Sequence, residues 1–260
     1  MSYSDVAVLI ITQETYFQEL KLTINRLNEL KMNKFFKCYV ACKNLNESKF
    51  KFENWKNLEI NKDCENWGSE LIDTIKNIRE EYLFIFLDDF YPYKYFSASK
   101  LKKTILECLS YKPSLIRINS NYNRRIFLKR KKINIFEESY KHRYATSLVF
   151  PIFRKQFLKE ILLKDDSIWQ FERFSNKRFN FKEHKFYFIK GHNIDLSVVN
   201  LIVKGQALRT SINKLPKNKK KIYLNNRKLK TMPLVMEFKF HLKKLFSDVF
   251  ARYLPYFHEF

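Results

Sequence analysis

Glycine is nearly missing from this chain: Gly68, Gly191 and Gly205 are the three glycines among 260 residues. The G-x-G-x-x-G turn of dinucleotide-binding folds and the Walker P-loop each need several glycines in one short stretch, so neither mechanism is available. No G-x-S-x-G nucleophile elbow occurs. Long apolar runs are also missing. Nothing approaches the roughly 18 apolar residues of a membrane-crossing helix, so any membrane contact is expected to be peripheral. The run at residues 6–11 is short, follows Asp5 and lacks a basic leader, which argues against a secretory signal. Cys38, Cys42, Cys64 and Cys108 are scattered, and no second pair or His cluster completes Cys38-x₃-Cys42 as a zinc site. They are expected to be reduced thiols of a cytosolic protein. The five histidines show no metal-binding spacing of the H-E-x-x-H kind. Acids are short as well: 27 Asp and Glu face 50 Lys and Arg, a net charge of +23. That excess points to an anionic partner, whether nucleic acid, a membrane surface or a phosphorylated substrate.

What is abundant is apolar and aromatic. Hydrophobic residues are 45% of the chain and aromatics 17%, which excludes a disordered polymer. Residues 6–12 form a continuous β-branched run, the mark of a strand buried on both faces. Leu20, Ile24, Leu27 and Leu30 then recur at helical spacing, and residues 35–41 read as a second strand. This β-α-β opening predicts a parallel, doubly wound sheet. A helix is expected over 69–79, and a very apolar strand over 82–87 that ends at Asp88-Asp89. A helix capped by Ser99 is expected over 99–110. Strands are expected at 114–119, 145–153 and 185–190, and a helix at 154–163. The fold class is therefore α/β, a mixed but mostly parallel sheet flanked by helices. Residues 1–208 are expected to form the catalytic domain, and 209–260 a basic linker with an amphipathic C-terminal helix.

Asp88 and Asp89 are the first candidates for chemistry. A buried strand ending in carboxylates puts them at the carboxyl edge of the sheet, where open α/β folds bind ligands. Two acids there suit Mn²⁺ or Mg²⁺, which takes carboxylate oxygens and leaves positions for phosphate and water. The plainer alternative is a turn in which Asp bonds to backbone N–H groups. Trp67 and Gly68 open the 69–79 helix. Gly68 would let bare backbone approach a ligand phosphate, and Trp67 would stack on a sugar or base; otherwise they form a packed helix-entering turn. Trp169 and Glu172, preceded by Asp165 and Asp166, supply an aromatic surface beside a carboxylate able to act as base. The alternative is an amphipathic turn with Trp169 in the core. Gly205 reads as a turn, and His192 beside Gly191 as a loop residue.

These features, in this order, resemble the GT-A glycosyltransferases. They are most similar to the family 2-like enzymes of bacterial capsule, lipooligosaccharide and O-antigen synthesis. The resemblance rests on the strand to Thr12, Trp67-Gly68-Ser69 at a helix start, Leu87-Asp88-Asp89-Phe90, and Trp169-Gln170-Phe171-Glu172. It implies a Rossmann-like sheet binding a nucleotide-diphosphate sugar, a UDP-sugar first among them, with Thr12 and Gln13 near the base. Asp88 and Asp89 would stand for the metal-binding acidic motif, and Glu172, or else Asp166, would deprotonate a saccharide or lipid-linked acceptor. The usual Asp-x-Asp is broken here by Phe90. A metal would then be held by one Asp through phosphate or by Asp89 with water, or basic residues of 124–132 would neutralise the pyrophosphate instead.

Residues 214–230 carry eight Lys and Arg and no acid. Residues 234–254 follow as a helix with Val235, Phe238, Leu242, Leu245, Phe246, Val249 and Tyr253 along one stripe and Lys239, Lys243, Lys244 and Arg252 as its basic residues. One reading seats 214–254 on an anionic membrane, which gives a peripheral protein on the inner face of the cytoplasmic membrane. The other packs the stripe on the protein's own core or on a second subunit. Two rival functions stand beside the transferase: a non-enzymatic GT-A-like scaffold, and a single-strand nucleic-acid binder. The second is disfavoured because an Asp-Asp edge repels phosphate in the absence of a metal.

Overall fold

A computed structural model describes residues 5–43, 52–118, 128–138, 145–203, 205–226 and 230–242. Its centre is a nine-stranded sheet in the order β3-β2-β1-β4-β9-β6-β10-β8-β7. The strands are β1 (Val6–Thr12), β2 (Lys37–Cys42), β3 (Trp55–Glu59), β4 (Tyr82–Leu87), β6 (Leu115–Ile118), β7 (Leu128–Lys132), β8 (Ile135–Glu138), β9 (Pro151–Arg154) and β10 (Phe186–Ile189). Strands β1 to β4, β6 and β10 run parallel. Strand β9 is antiparallel between β4 and β6, and β8 and β7 extend the far edge antiparallel. The mixed, mostly parallel α/β sheet expected from the sequence is the one found.

The apolar character of β1 follows from its place. Val6, Val8 and Ile10 face one layer with Leu20, Ile24 and Leu27 of α1 (Phe17–Glu29) and Leu101 and Ile105 of α4 (Ala98–Leu109). Ala7, Leu9 and Ile11 face the other, with Leu71 and Ile75 of α3 (Trp67–Lys76), Leu158 of α5 (Lys155–Ile161) and Phe171 of α6 (Ile168–Phe174). Successive strand side chains point to opposite faces, so a strand covered on both sides has no polar register. Helix α2 (Met32–Phe35) links α1 to β2.

A third cluster lies beyond the sheet. Strand β5 (Phe90–Pro92) pairs antiparallel with β11 (Val198–Asn200), and β12 (Ile202–Val203) with β13 (Gln206–Ala207). Helices α7 (Arg209–Ile212) and α8 (Lys217–Asn226) follow. Ile212, Leu215 and Tyr223 are buried there with Leu22, Tyr91 and Val199, so residues 209–223 pack onto the sheet domain. Gly205 sits in the β12–β13 turn at φ 70°, a conformation that glycine adopts without strain.

Several local expectations are corrected. The N-cap of α4 is Ser97, whose side chain accepts from the Lys100 N–H, and not Ser99. The strand expected over 145–153 begins at Pro151, because Phe150 adopts φ 53° and breaks the extended chain. Residues 128–132, read as irregular, form edge strand β7, while 124–127 lie outside the described residues. The strands after residue 190 and helix α7 were not foreseen, and 217–226 is helical where a linker was expected; the helix expected over 234–254 is found at 234–242, the rest lying outside the described residues.

Candidate functional site

Strand order turns between β1 and β4: the chain steps outward through β2 and β3, then returns to the other side of β1. Ligands of open α/β sheets bind at such a reversal, outside the carboxyl ends of the strands. The parallel register places Ile11 beside Leu87, so Thr12 and Asp88 leave their strands together. Thr12 Oγ1 donates to Asp88 Oδ2 at 2.7 Å. Thr23 of α1 donates its hydroxyl to the Asp88 carbonyl at 2.9 Å. Leu201 N–H binds the Asp89 carbonyl at 2.9 Å, and the Ile202 N–H supports the Asp89 carboxylate. The carboxylates are thus held from two sides, Asp88 by β1 and Asp89 by the segment after β11.

Both carboxylates keep partial solvent contact while lying deep among protein atoms. Burial pushes Asp88 up to about 7; the Thr12 hydrogen bond opposes this and the Glu19 charge adds to it. Burial, then the charge of Asp88, pushes Asp89 up to about 8. No Lys or Arg among the described residues forms an ion pair with either. Glu19 is buried on α1 and accepts a hydrogen bond from the Tyr223 hydroxyl of α8. Burial, and after it Asp88, Asp89 and Glu19, raise the Tyr16 phenol. Asp88, Asp89, Glu19 and the Tyr16 phenol thus gather beside the carboxyl ends of β1 and β4, at the reversal of strand order.

No group of three or more His, Cys, Asp or Glu among the described residues is placed to hold a metal. Two carboxylates suffice for Mg²⁺ or Mn²⁺ when substrate phosphates complete the shell, so the residues present fit a cation that arrives with a nucleotide.

The other expected site residues divide. Gln13 is exposed just after β1, its carbonyl accepting from Tyr16 N–H at 3.0 Å. Glu172 is half-buried on α6. Its Oε1 accepts from Leu148 N–H at 2.7 Å and from Ser147 Oγ at 3.1 Å, while Oε2 has no hydrogen bond among the described residues. Burial raises its pKa. Trp169, three residues before it on the same helix face, is 73% exposed and is not the core residue of the alternative reading.

Asp166 does not stand as a base. Arg178 grips both of its oxygens, with Nη2 at 2.7 Å from Oδ1 and Nη1 on Oδ2, and Leu163 N–H adds a bond at 3.0 Å. Its carboxylate is a buried structural anchor. Gly68 is also corrected. The close backbone approach it allows is made by this chain's own loop, since Gly68 N–H donates to Asp166 carbonyl at 2.7 Å and a Cβ would meet Leu163 carbonyl at 2.1 Å. Trp67 is half-buried against Phe171, ring centroids 5.4 Å apart. Together Gly68 and Trp67 dock α3 to α6 and so fix where Glu172 stands.

Sequence reasoning missed Tyr16, Glu19, Thr23 and Ser147. A signal existed for the first three: they recur at intervals of three and four along the start of α1, a polar stripe facing the Asp pair.

No family model matches the chain, and no curated protein does. Among solved structures, the fold is similar to the mannosyltransferase PcManGT from Pyrobaculum calidifontis, in complex with GDP-Man and Mn²⁺. The TM-score is 0.51 and the identity 9%, over 77% of this chain and 58% of that one. S. aureus TarS 1–349 in complex with UDP gives a TM-score of 0.46 and 14% identity, over 72% and 58% of the two chains. A UDP-glucose pyrophosphorylase complexed with UDP-glucose gives 0.48 and 11%, over 86% and 100%. The chain spans 58% of the length of both transferases. The fold is thus the Rossmann-like α/β class to which GT-A enzymes belong.

Proposed function

We propose that this protein is a glycosyltransferase that moves a sugar from a nucleotide-diphosphate donor, a UDP-sugar first among them, to a saccharide on a lipid carrier. Its place would be the inner face of the cytoplasmic membrane, in cell-surface polysaccharide or lipopolysaccharide synthesis. The observation that carries the reading is the Asp88–Asp89 pair at the β1–β4 reversal, with which no Lys or Arg among the described residues forms an ion pair. Support at the level of fold comes from the likeness to a mannosyltransferase whose structure holds GDP-Man and Mn²⁺.

Asp88 and Asp89 would hold Mn²⁺ or Mg²⁺, which offsets charge on the departing nucleoside diphosphate when bound. Thr12 keeps Asp88 aimed at the pyrophosphate region, and Gln13 borders the base. Glu172 is the acceptor's base. Its Oε1 is pinned by Ser147 and Leu148, which leaves Oε2 to take the hydroxyl proton, and burial, by raising its pKa, makes it a stronger base than an exposed Glu. Trp169 offers the flat apolar surface that sugar faces prefer.

The test is a thermal-shift screen of the full chain with UDP-, GDP-, CMP- and dTDP-sugars, each with Mn²⁺, Mg²⁺ or EDTA. Ligand at ~100 times its dissociation constant adds ~2.7 kcal/mol of stability. A shift with one nucleotide that is lost in EDTA and in Asp88→Asn is the expected result. No shift with any donor overturns the transferase and leaves the scaffold reading.

A further inference from the structure

Residues 234–242 form a helix whose seating is defined at two points. Just before it, residues 230–232 run beside β13. Ala207 N–H donates to Lys230 carbonyl at 3.0 Å, Met232 N–H donates to Ala207 carbonyl at 2.9 Å, and the Met232 side chain is buried. Within the helix, Glu237 is 3% exposed and turned inward. Its carboxylate accepts from Arg209 N–H at 3.2 Å, Thr210 N–H at 2.8 Å and Thr210 Oγ1 at 2.6 Å. The Thr210 hydroxyl also lies 3.0 Å from His241 Nε2. Glu237 therefore fixes which face of the helix points in.

The arc turned away from it is apolar and exposed. At 100° per residue, Leu234, Val235, Phe238 and Leu242 fall within ~100° of one another. Their exposures are 64%, 66%, 67% and 41%. A globular protein has no reason to clamp such a face outward unless something covers it.

Charge selects what does. From 209 to 242 the sequence has ten Lys and Arg and one acid, Glu237, which is the buried one. This stretch of sequence thus supplies positive charge and, apart from the buried Glu237, no carboxylate of its own. Lys217, Lys221, Lys230 and Lys239 are exposed and have no ion pair among the described residues. A second copy of this chain would bring the same positive charge against itself, and a nucleic-acid backbone would leave the aliphatic arc uncovered. An anionic lipid surface satisfies both, with acyl chains for the arc and head groups for the lysines.

We propose that the 234–242 face, oriented by Glu237, is a docking surface for an anionic membrane. This deepens the proposed function by naming the surface that brings the enzyme to a lipid-borne acceptor, yet it stands or falls separately. The test uses the full chain with vesicles of phosphatidylcholine alone and of phosphatidylcholine mixed with phosphatidylglycerol, in a sedimentation assay. The native protein is expected to sediment with the mixed vesicles and not with phosphatidylcholine alone, and less so as salt rises. The double variant Phe238→Ser, Leu242→Ser, altered at exposed positions and so expected to keep its melting temperature, is expected to bind ~10-fold or more weakly. Undiminished binding by that variant overturns the proposal, as does failure of the native protein to bind mixed vesicles. Light scattering that shows a dimer dissolved by the same variant assigns the face to a second copy, and also overturns it. Donor thermal shifts in the variant report separately on the transferase reading.

Discussion

The Thr12 hydroxyl and the Asp88 carboxylate, 76 residues apart in sequence, meet at 2.7 Å where β1 and β4 end side by side. The bond joins the first strand to the acidic edge at the reversal of strand order. It also offsets burial of the Asp88 charge. Thr12→Val keeps the shape of the side chain and deletes this donor. The variant is expected to lose ~1–3 kcal/mol of stability where Asp88 is ionised and to lose less where it is protonated. Urea unfolding at two pH values on either side of neutrality measures the difference. An equal loss at both would show that the bond does not act on the charged form.

The same acids make stability depend on pH in a direction opposite to that of most carboxylates. Asp88 and Asp89 ordinarily titrate near 3.8, and the fold raises them to about 7 and about 8. Between those limits the folded state holds protons that the unfolded chain has released, so folding stability falls as pH rises and levels off above about 8. Metal-free protein is therefore expected to be less stable by ~2 kcal/mol or more at about pH 8.5 than at about pH 5. Asp88→Asn should flatten the fall beyond its own share, because it also removes the charge that raises Asp89. A metal at the proposed site would be held by the deprotonated carboxylates, so the stabilising effect of Mn²⁺ is expected to grow over the window in which the free protein weakens. Chemical denaturation across pH, with and without Mn²⁺, reads both trends.

Much of the fold was legible because both faces of its central strands are buried. β1 and β4 have no polar register to confuse with a helix, and both were bounded in sequence as they stand in the structure. The acidic edge was legible for the same reason, since an apolar strand stopping at Asp88-Asp89 marks its own carboxyl end. The roles of Asp166 and Gly68 were not legible. Each depends on a partner far away in sequence or in another element, Arg178 for one and the Leu163 carbonyl for the other. The strands after 190 escaped because they are two or three residues long and gain their order from Asp89, Tyr91 and α1 rather than from any period of their own.

Glu172 and Asp166 offer a contrast that separates chemistry from architecture. Glu172→Gln retains the bonds at Oε1 and removes the proposed base. It is expected to lower kcat ~10²–10⁴-fold while leaving the donor thermal shift and the melting temperature near native. Asp166→Asn instead strands the Arg178 guanidinium in a site where it is mostly covered. A loss of ~3 kcal/mol or more in stability is expected, with any fall in activity following unfolding. Donor-saturated kinetics together with denaturation curves on both variants distinguish the two roles. A normal kcat in Glu172→Gln would remove it as the base.

Gly68→Ala tests how closely α3 and α6 are docked. The new Cβ would stand 2.1 Å from the Leu163 carbonyl oxygen and 3.1 Å from Asp166 N, both backbone atoms that no rotamer change can clear. Either α3 withdraws or the 163–166 loop moves, and the loop is tied to Asp166 and through it to Arg178. Alanine ordinarily favours a helix over glycine by ~1 kcal/mol, so the clash must exceed that gain to show. A net loss of ~1–3 kcal/mol is expected, the range typical of overpacking. Because α6 carries Glu172, the shift is also expected to weaken turnover more than donor binding. If the melting temperature instead rises, the helix-propensity gain has won. The 163–166 loop is then compliant, and the placement of Glu172 does not depend on this contact.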